Sequence, residues 1–405
     1  MIHSLKVEGF KSFGSAVQPI YLEPLNFVVG ANASGKTNFI RSLFFLRDAL
    51  LNGVDKAVFA MGGPREVRNR VVRERTQPKP CSICVSAKGL RYEFVGRNGI
   101  AYVLTGFDYQ FQADLRTDDA NPTVQTERLA VKLATKEGAV AEYKLERDNQ
   151  KVRIQDPTNA PDRQSREEEV PEQESGHLAA GVGFFGLPAV LFRDYVSRWQ
   201  LYNISPHIAR LPTREEPSVE LGPNGENLAV VLHEIEKHNG KGAMSAIVDG
   251  LKGAIPGFQG IKSVPLEIEG KWAFQVIENK IKAINPQSAS DGTVRLLTLM
   301  VIACWCAPTA TLVAIEEPEN GIHPHLAKQL VELFREASNH RQFIITTHNP
   351  SFLDHLAPNE VLLCDKGEDS FTKVSHASDR EQIEVFRKRF TLGELWRQGV
   401  LGGIP

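Results

Sequence analysis

A lysine followed by a hydroxyl, Lys36 and Thr37, closes the stretch VVGANASGKTNFI (Val28 to Ile40), in which small residues separate a β-branched apolar run from an amphipathic segment. Gly30, Gly35, Lys36 and Thr37 satisfy the spacing GxxxxGK[ST]. The chemistry is phosphate binding. Glycines let the backbone curl so that successive N–H groups point inward, and the N-terminus of the following helix adds about half a positive charge. Lys36 reaches the β- and γ-phosphates, and Thr37 offers its hydroxyl to Mg2+, a hard ion that keeps waters and takes few protein ligands. Such a loop holds a nucleotide, but hydrolysis needs further groups.

Those groups stand far along the chain. In TLVAIEEPENGIHP an apolar run ends in Glu316 and Glu317, directly before a proline that stops the strand. Alternation along a strand sends the two carboxylates in different directions. One can serve the magnesium shell while the other orients an attacking water and accepts its proton. In FIITTHNP an apolar strand delivers His348 to a sheet edge, and in SASDGT the residues Ser290, Asp291, Gly292 and Thr293 precede a helix whose N-terminus can meet another phosphate. Neither of these last two is diagnostic alone; their order along the chain is what gives them weight.

The elements that must position these residues show in the apolar spacing. Leu5 and Val7 alternate with polar residues, Leu25 to Val29 form a β-rich run, and Phe39, Leu43, Leu46 and Leu50 recur at helical spacing. From Cys81 onward, pieces such as CSICVSA, RYEFV and AYVLT alternate with turn residues and predict an antiparallel lobe. The polar, proline-punctuated stretch DRQSREEEVPEQES cannot offset its ordering entropy by burial and reads as a mobile linker. ENLAVVLHEIEKH, Glu226 to His238, reads as helix, with a looser glycine-bearing region from Gly240 to Gly260. The last third returns to an α/β rhythm: helix Val294 to Cys306, strand Leu312 to Ile315, helix Leu326 to Ala337, strand Phe343 to Thr346. The expected organisation is a head from residues 1–80 and 281–405, a β-rich lobe at 81–155, a mobile linker at 156–180 and a mainly helical insert at 181–280.

Composition sets the bounds. The 405 residues are 42% hydrophobic and 24% charged, ordinary for a globular chain, and no apolar run approaches the ~18 residues that span a bilayer. The opening MIHSLKVEGF has no basic n-region and apolar h-region, so a cytoplasmic location is expected. Five cysteines, an odd number, argue against a disulfide framework. Cys81 and Cys84 make a single CxxC where a structural zinc needs four ligands, so a surface turn is expected there. A net charge of −2 implies no chain-wide attraction for nucleic acid, so any DNA site must be local; the basic stretch REVRNRVVRERTQPK is one candidate, and a solvated charged loop is the plainer reading of it.

The order of the motifs resembles the ABC-type ATPases of the SMC, RecF and overcoming-lysogenisation-defect (OLD) group. LKVEGFKSF looks like the first strand of SMC-type heads, and GENLAVVL and TLGELWRQG look like segments of the short RecF-like ATPases found beside effector genes. The resemblance implies an α/β P-loop NTPase head of ABC type with an antiparallel β lobe and a helical insert. It implies that Gly30, Ala31, Asn32, Ala33, Ser34, Gly35, Lys36 and Thr37, with Asn38, form the Walker A loop for ATP. By the same likeness Ser290 to Thr293 are the signature, Glu316 the Walker B acid that joins Thr37 at Mg2+, Glu317 the catalytic base, His348 the switch histidine and Asn320 to His323 the D-loop. The signature reads SDGT rather than SGGQ, and Glu316 stands where transporters carry aspartate; both features fit the RecF-like side.

In such ATPases the signature of one subunit closes on the nucleotide of another, which implies a homodimer or higher oligomer sandwiching ATP. The function implied is an ATP-hydrolysing switch that engages DNA or controls a separately encoded effector in phage defence; the alternative is a RecF-like DNA-repair protein. No sustained heptad repeat supports SMC-type arms. The stretch after His348 is too short for the Toprim domain of OLD nucleases, so any nuclease is expected on another chain. A transporter subunit is disfavoured by GFKSF, SDGT and the large insert, and no membrane partner is expected.

Overall fold

Five runs, buried along most of their length except for the half-buried first, build the centre of the protein: Trp199–Tyr202, Leu312–Glu316, Gln342–Thr347, Leu25–Val29 and Val361–Lys366, in that spatial order. They are parallel to one another, and Thr372–His376 adds an antiparallel sixth strand at the edge. The computed structural model describes the whole chain except residues 16–17, 70–79, 116–120, 183–184, 215–219, 238–240, 267–268, 280–281, 306–309 and 402–405. The basic stretch singled out above at residues 65–79 therefore falls mostly outside the described residues.

A parallel sheet must be covered on both faces, which is why its strands read as continuous apolar runs rather than alternating ones. Val28, Leu312, Ala314, Ile344 and Leu362 face one core. Their neighbours Phe27, Val29, Val313, Ile315, Phe343 and Ile345 face the other. The first core is closed by the Lys36–Asn52 helix, whose Phe39, Ile40, Leu43, Leu46 and Leu50 form one buried stripe that ends at Gly53. The second is closed by the helices Leu228–Lys237, Asp291–Cys304 and Ala327–Ser338. Among the described residues no helix is long and apolar enough to cross a membrane.

Behind the Lys36–Asn52 helix lies an eight-stranded antiparallel sheet. Its order is Ile20–Tyr21, Ile2–Glu8, Cys81–Val95, Ala101–Asp114, Thr123–Thr135, Val140–Asp148, Lys151–Gln155 and Ser165–Glu169. The lobe expected at 81–155 thus begins with the chain's first strand, which pairs with Cys81–Val95. The CSICVSA and RYEFV pieces are one strand with an irregularity between Lys88 and Tyr92. Cys81 and Cys84 lie within it rather than in a surface turn. Three residues apart on a strand, they point to opposite faces, and burial pushes the Cys81 thiol up to about 12.

The expected mobile linker at 156–180 is corrected: it carries the last strand of the lobe, Ser165–Glu169, paired with Lys151–Gln155. Two buried charges hold its far end. Glu127, fully buried, accepts from the N–H groups of Ala179 (2.6 Å) and Ala180 (2.9 Å) and from the Tyr109 hydroxyl (2.9 Å). Arg147 donates to the carbonyls of Asn149 (2.6 Å), Ser175 (3.2 Å) and His177. The segment's own apolar content underestimates its order because its partners come from the lobe.

The region 181–280, expected to be mainly helical, is mixed. It supplies the Trp199–Tyr202 strand of the central sheet, and the strands Phe258–Leu266 and Lys271–Glu278 form a hairpin of a separate small sheet. The looser region from Gly240 onward contains the helix Lys241–Ala254. The helix expected from Val294 starts at Asp291, because Ser290 caps it by accepting from the Thr293 N–H at 3.1 Å.

Candidate functional site

Parallel strands deliver their carboxyl ends to one edge, and in such sheets that edge is where ligands bind. Glu316 lies in register with Thr346, which lies in register with Val28; Thr347 is paired with Val29. The loop from Gly30, the acids at 316–317 and His348 therefore leave three adjacent strands side by side.

The loop needs its glycines. A Cβ on Gly30 would sit 2.2 Å from the Cys364 carbonyl oxygen of the next strand, and one on Gly35 would sit 2.2 Å from Thr372 Oγ1 at a φ of +113°. Thr372 in turn donates to the Ser34 carbonyl at 2.8 Å, fastening the loop to the edge strand. Gly35 gives the Lys36–Asn52 helix no side-chain cap, so its first N–H groups are not satisfied by the N-cap residue. Lys36 is 7% exposed and donates to the carbonyls of Gly30 (2.7 Å) and Ala31 (2.9 Å). Burial pushes its ammonium below the usual lysine range, against the pull of Cys364, Glu317 and Glu319.

A cavity of about 550 Å³ opens over the loop. Of the expected nucleotide contacts, Asn32, Ala33, Gly35, Lys36, Thr37 and Asn38 line it, with Glu317 opposite; Gly30, Ala31 and Ser34 do not. Lys11, Arg41, Arg68 and Lys366 add to Lys36, against the carboxylates of Glu66 and Glu317. Five cations facing two acids favour a polyanion here although the whole chain is slightly acidic.

The two strand-end acids do diverge. Glu317 adopts a left-handed φ of +43°, with its N–H donating to the Thr346 carbonyl at 3.0 Å. Non-glycine residues enter this region at a cost of about 1–2 kcal/mol, and the turn it makes carries the Glu317 side chain over the loop. Its Oε1 lies 3.4 Å from His348 Nδ1, and Oε2 accepts from Asn320 Nδ2 at 3.1 Å. Glu316 points elsewhere: Oε2 accepts from Asn203 Nδ2 at 3.2 Å, while Oε1 is buried with no hydrogen-bond partner among the described residues. Burial raises its carboxyl, Arg41 opposing and Glu317 reinforcing. Glu316 and His348 are not among the residues lining the cavity, but an orphaned carboxylate oxygen one residue from Glu317 fits a hard cation, which asks for one or two protein oxygens and takes the rest from phosphate and water. Among the described residues no group of three or more His, Cys, Asp or Glu side chains is gathered as a metal centre.

Ser290, Asp291, Gly292 and Thr293 do not line the cavity. Ser290 Oγ lies 2.9 Å from Thr293 Oγ1, Asp291 pairs with Arg210 at 2.6 Å, and a Cβ on Gly292 would meet the Gly321 carbonyl at 2.7 Å. Gly292 thus sits against the turn that follows the paired acids.

Two contributors escape the sequence reading. Glu319, 7% exposed, accepts from Thr347 Oγ1 (2.5 Å) and from the His348 N–H (3.1 Å), and so sets where His348 stands. Its one signal is a third acid in EEPEN. Asn203 follows a four-residue strand that sequence periodicity cannot separate from its surroundings.

Strand order, phosphate loop, diverging acids and strand-end histidine together define an ABC-type P-loop NTPase head. The chain belongs to the family described as "AAA domain, putative AbiEii toxin, Type IV TA system", whose model matches residues 25–354. Solved structures with a similar outline are SMC heads. One is an Smc head bound to the C-winged-helix domain of ScpA, with 15% identity over 92% of this chain and 97% of that one, TM-score 0.48. Another is the SMC head domain from Thermotoga maritima, with 14% identity over 93% and 98%, TM-score 0.42. A third is an Smc head with an extended coiled coil bound to the C-terminal domain of ScpA derived from Pyrococcus furiosus, with 13% identity over 96% and 98%, TM-score 0.49. At these scores the overlays are loose, and the fold rests on the strand order and register above. No curated protein matches the sequence.

Proposed function

We propose that the chain is an ATP-hydrolysing switch in which two copies close on bound nucleotide and thereby engage DNA or control a separately encoded effector. The observation that carries this reading is the meeting of Glu317 and His348, 3.4 Å apart, beside the phosphate loop. Lys36 and the uncapped helix N-terminus hold the phosphates, and Thr37 and Glu316 would supply oxygens to Mg2+, which would neutralise phosphate charge. Glu317 accepts the proton of the attacking water and His348 orients it. The family description, which names a putative AbiEii toxin of a type IV TA system, supports a role within a two-component system over general repair.

Two substitutions test the reading. Lys36→Ala is expected to abolish ATP binding in calorimetry, because the charge on the β/γ-phosphates is lost. Glu317→Gln keeps size while losing proton acceptance; it is expected to bind ATP as the parent does and to release phosphate roughly 10²- to 10⁴-fold more slowly. Wild-type turnover in Glu317→Gln moves the base elsewhere, and unchanged affinity in Lys36→Ala removes the nucleotide site from this loop.

A further inference from the structure

Beyond the nucleotide edge, the segment after Thr372–His376 presents an unusual surface. The helix Glu381–Phe386 is closed by the Arg387 N–H donating to the Ile383 carbonyl (2.9 Å), and a turn follows in which the Phe390 N–H donates to the Phe386 carbonyl (3.0 Å). Ile383 is buried and anchors it, whereas Val385, Phe386 and Phe390 are 66%, 39% and 38% exposed. Between the two rings stand Arg387, Lys388 and Arg389, all exposed and without an ion pair among the described residues. Arg380 is occupied by Asp365 at 2.7 Å, and the acids Glu381 and Glu384 lie on the preceding turn.

We propose that residues 385–390 bind single-stranded nucleic acid, with phosphates against Arg387, Lys388 and Arg389 and bases stacked on Phe386 and Phe390. This names the partner of the DNA-engaging switch argued above and rests on that reading for its purpose, though not for the binding itself. Charge complementarity selects a polyanion: the chain as a whole carries −2, so three adjacent unpaired cations are a local feature. The rings select the strand state. Every base has a face that can stack on an aromatic side chain, but a duplex hides those faces and offers only its backbone.

The patch is also tied to the nucleotide edge. Asp354, at the end of the Pro350–Leu353 helix that follows His348, accepts from Thr391 Oγ1 (2.6 Å), Gly393 N–H (3.1 Å) and Arg397 Nη2 (3.2 Å). Phe390 is the residue before that anchor.

The test is fluorescence anisotropy of a labelled oligothymidine of about 20 nucleotides with the full chain, without ATP, across NaCl concentrations. Three phosphate contacts on a single strand give a slope of log K against log salt near −2, from about −0.7 for each contact. The triple variant Arg387→Ser, Lys388→Ser, Arg389→Ser is expected to flatten that slope. Phe386→Ala and Phe390→Ala are each expected to weaken binding roughly 5- to 150-fold with the slope unchanged, and a duplex of equal length to bind at least about 10-fold more weakly. No binding by the parent, an unchanged slope in the triple variant, or equal binding of duplex and single strand overturns the proposal. So does a polyglutamate peptide that binds as tightly as the oligonucleotide, which would point to an acidic protein. ATP calorimetry on the same variants separates the two readings: Lys36→Ala should keep oligonucleotide binding, and the triple variant should keep ATP binding.

Discussion

Glu319 does not line the cavity over the phosphate loop, yet it holds His348, the residue that faces Glu317. Its Oε1 accepts from both Thr347 Oγ1 and the His348 N–H, while Oε2 is buried without a hydrogen-bond partner among the described residues. Burial pushes its carboxyl above the ordinary range, with the Thr347 hydroxyl, backbone N–H groups and His348 opposing. The folded chain therefore holds this proton more tightly than the unfolded chain does. The group favours folding below the ordinary carboxylate range, and that contribution is lost as pH rises through the raised value. Glu319→Gln keeps an acceptor for both donors and removes the titration. Its melting temperature is expected to gain on the parent's by a few degrees between about pH 4 and about pH 8. Thermal scans at both ends check it, and a constant difference would place the pH dependence on other carboxyls. At this scale the sequence was informative where a motif has fixed spacing, as at Lys36 and Thr37. It was silent on Glu319 and Asn203, whose roles depend on which strands lie side by side.

Among the elements, Trp199–Tyr202 and Val361–Lys366 were not foreseen in the sequence, but the other three buried parallel strands were legible because a strand covered on both faces must be apolar throughout. Their boundaries moved by only a residue or two, Gln342–Thr347 against the expected Phe343 to Thr346. The segment 156–180 was illegible for the opposite reason: what orders it comes from strands tens of residues away. Glu127 and Arg147 are 0% and 3% exposed, and each satisfies backbone groups of 175–180. Removing one member of such a network strands the others in a low dielectric. Glu127→Ala is expected to destabilise the fold by about 3–5 kcal/mol and to open tryptic cleavage at Arg163 and Arg166. Glu127→Gln, which retains one carbonyl acceptor, should cost less. Denaturant titration and limited proteolysis measure both effects, and a Glu127→Ala protein as stable as the parent would mean that the sheet pairing of Ser165–Glu169 alone orders the segment.

For the whole molecule, the placement of Ser290 to Thr293 poses the question of assembly. The phosphate loop draws its lining from the first seventy residues, Glu317 and the Lys366–Ser370 turn, and none of it from the signature. Gly292 instead packs against Gly321, on the turn that follows Glu317, at a helix N-terminus whose positive end is well suited to a phosphate its own cavity does not present. In the proposed closure of two copies, the second copy would supply that phosphate. If Ser290 meets the γ-phosphate of a partner, ATP binds the closed pair better than the open chains and shifts the population toward closure by that difference in affinity. Glu317→Gln with ATP is then expected to accumulate a closed dimer or larger assembly, dependent on the γ-phosphate and absent with ADP. Adding Ser290→Arg places bulk and a like charge at the helix N-terminus and should prevent closure while leaving nucleotide affinity of the open chain largely intact. Light scattering with parallel nucleotide titrations on both variants decides it: equal closure in the two removes the signature from the interface.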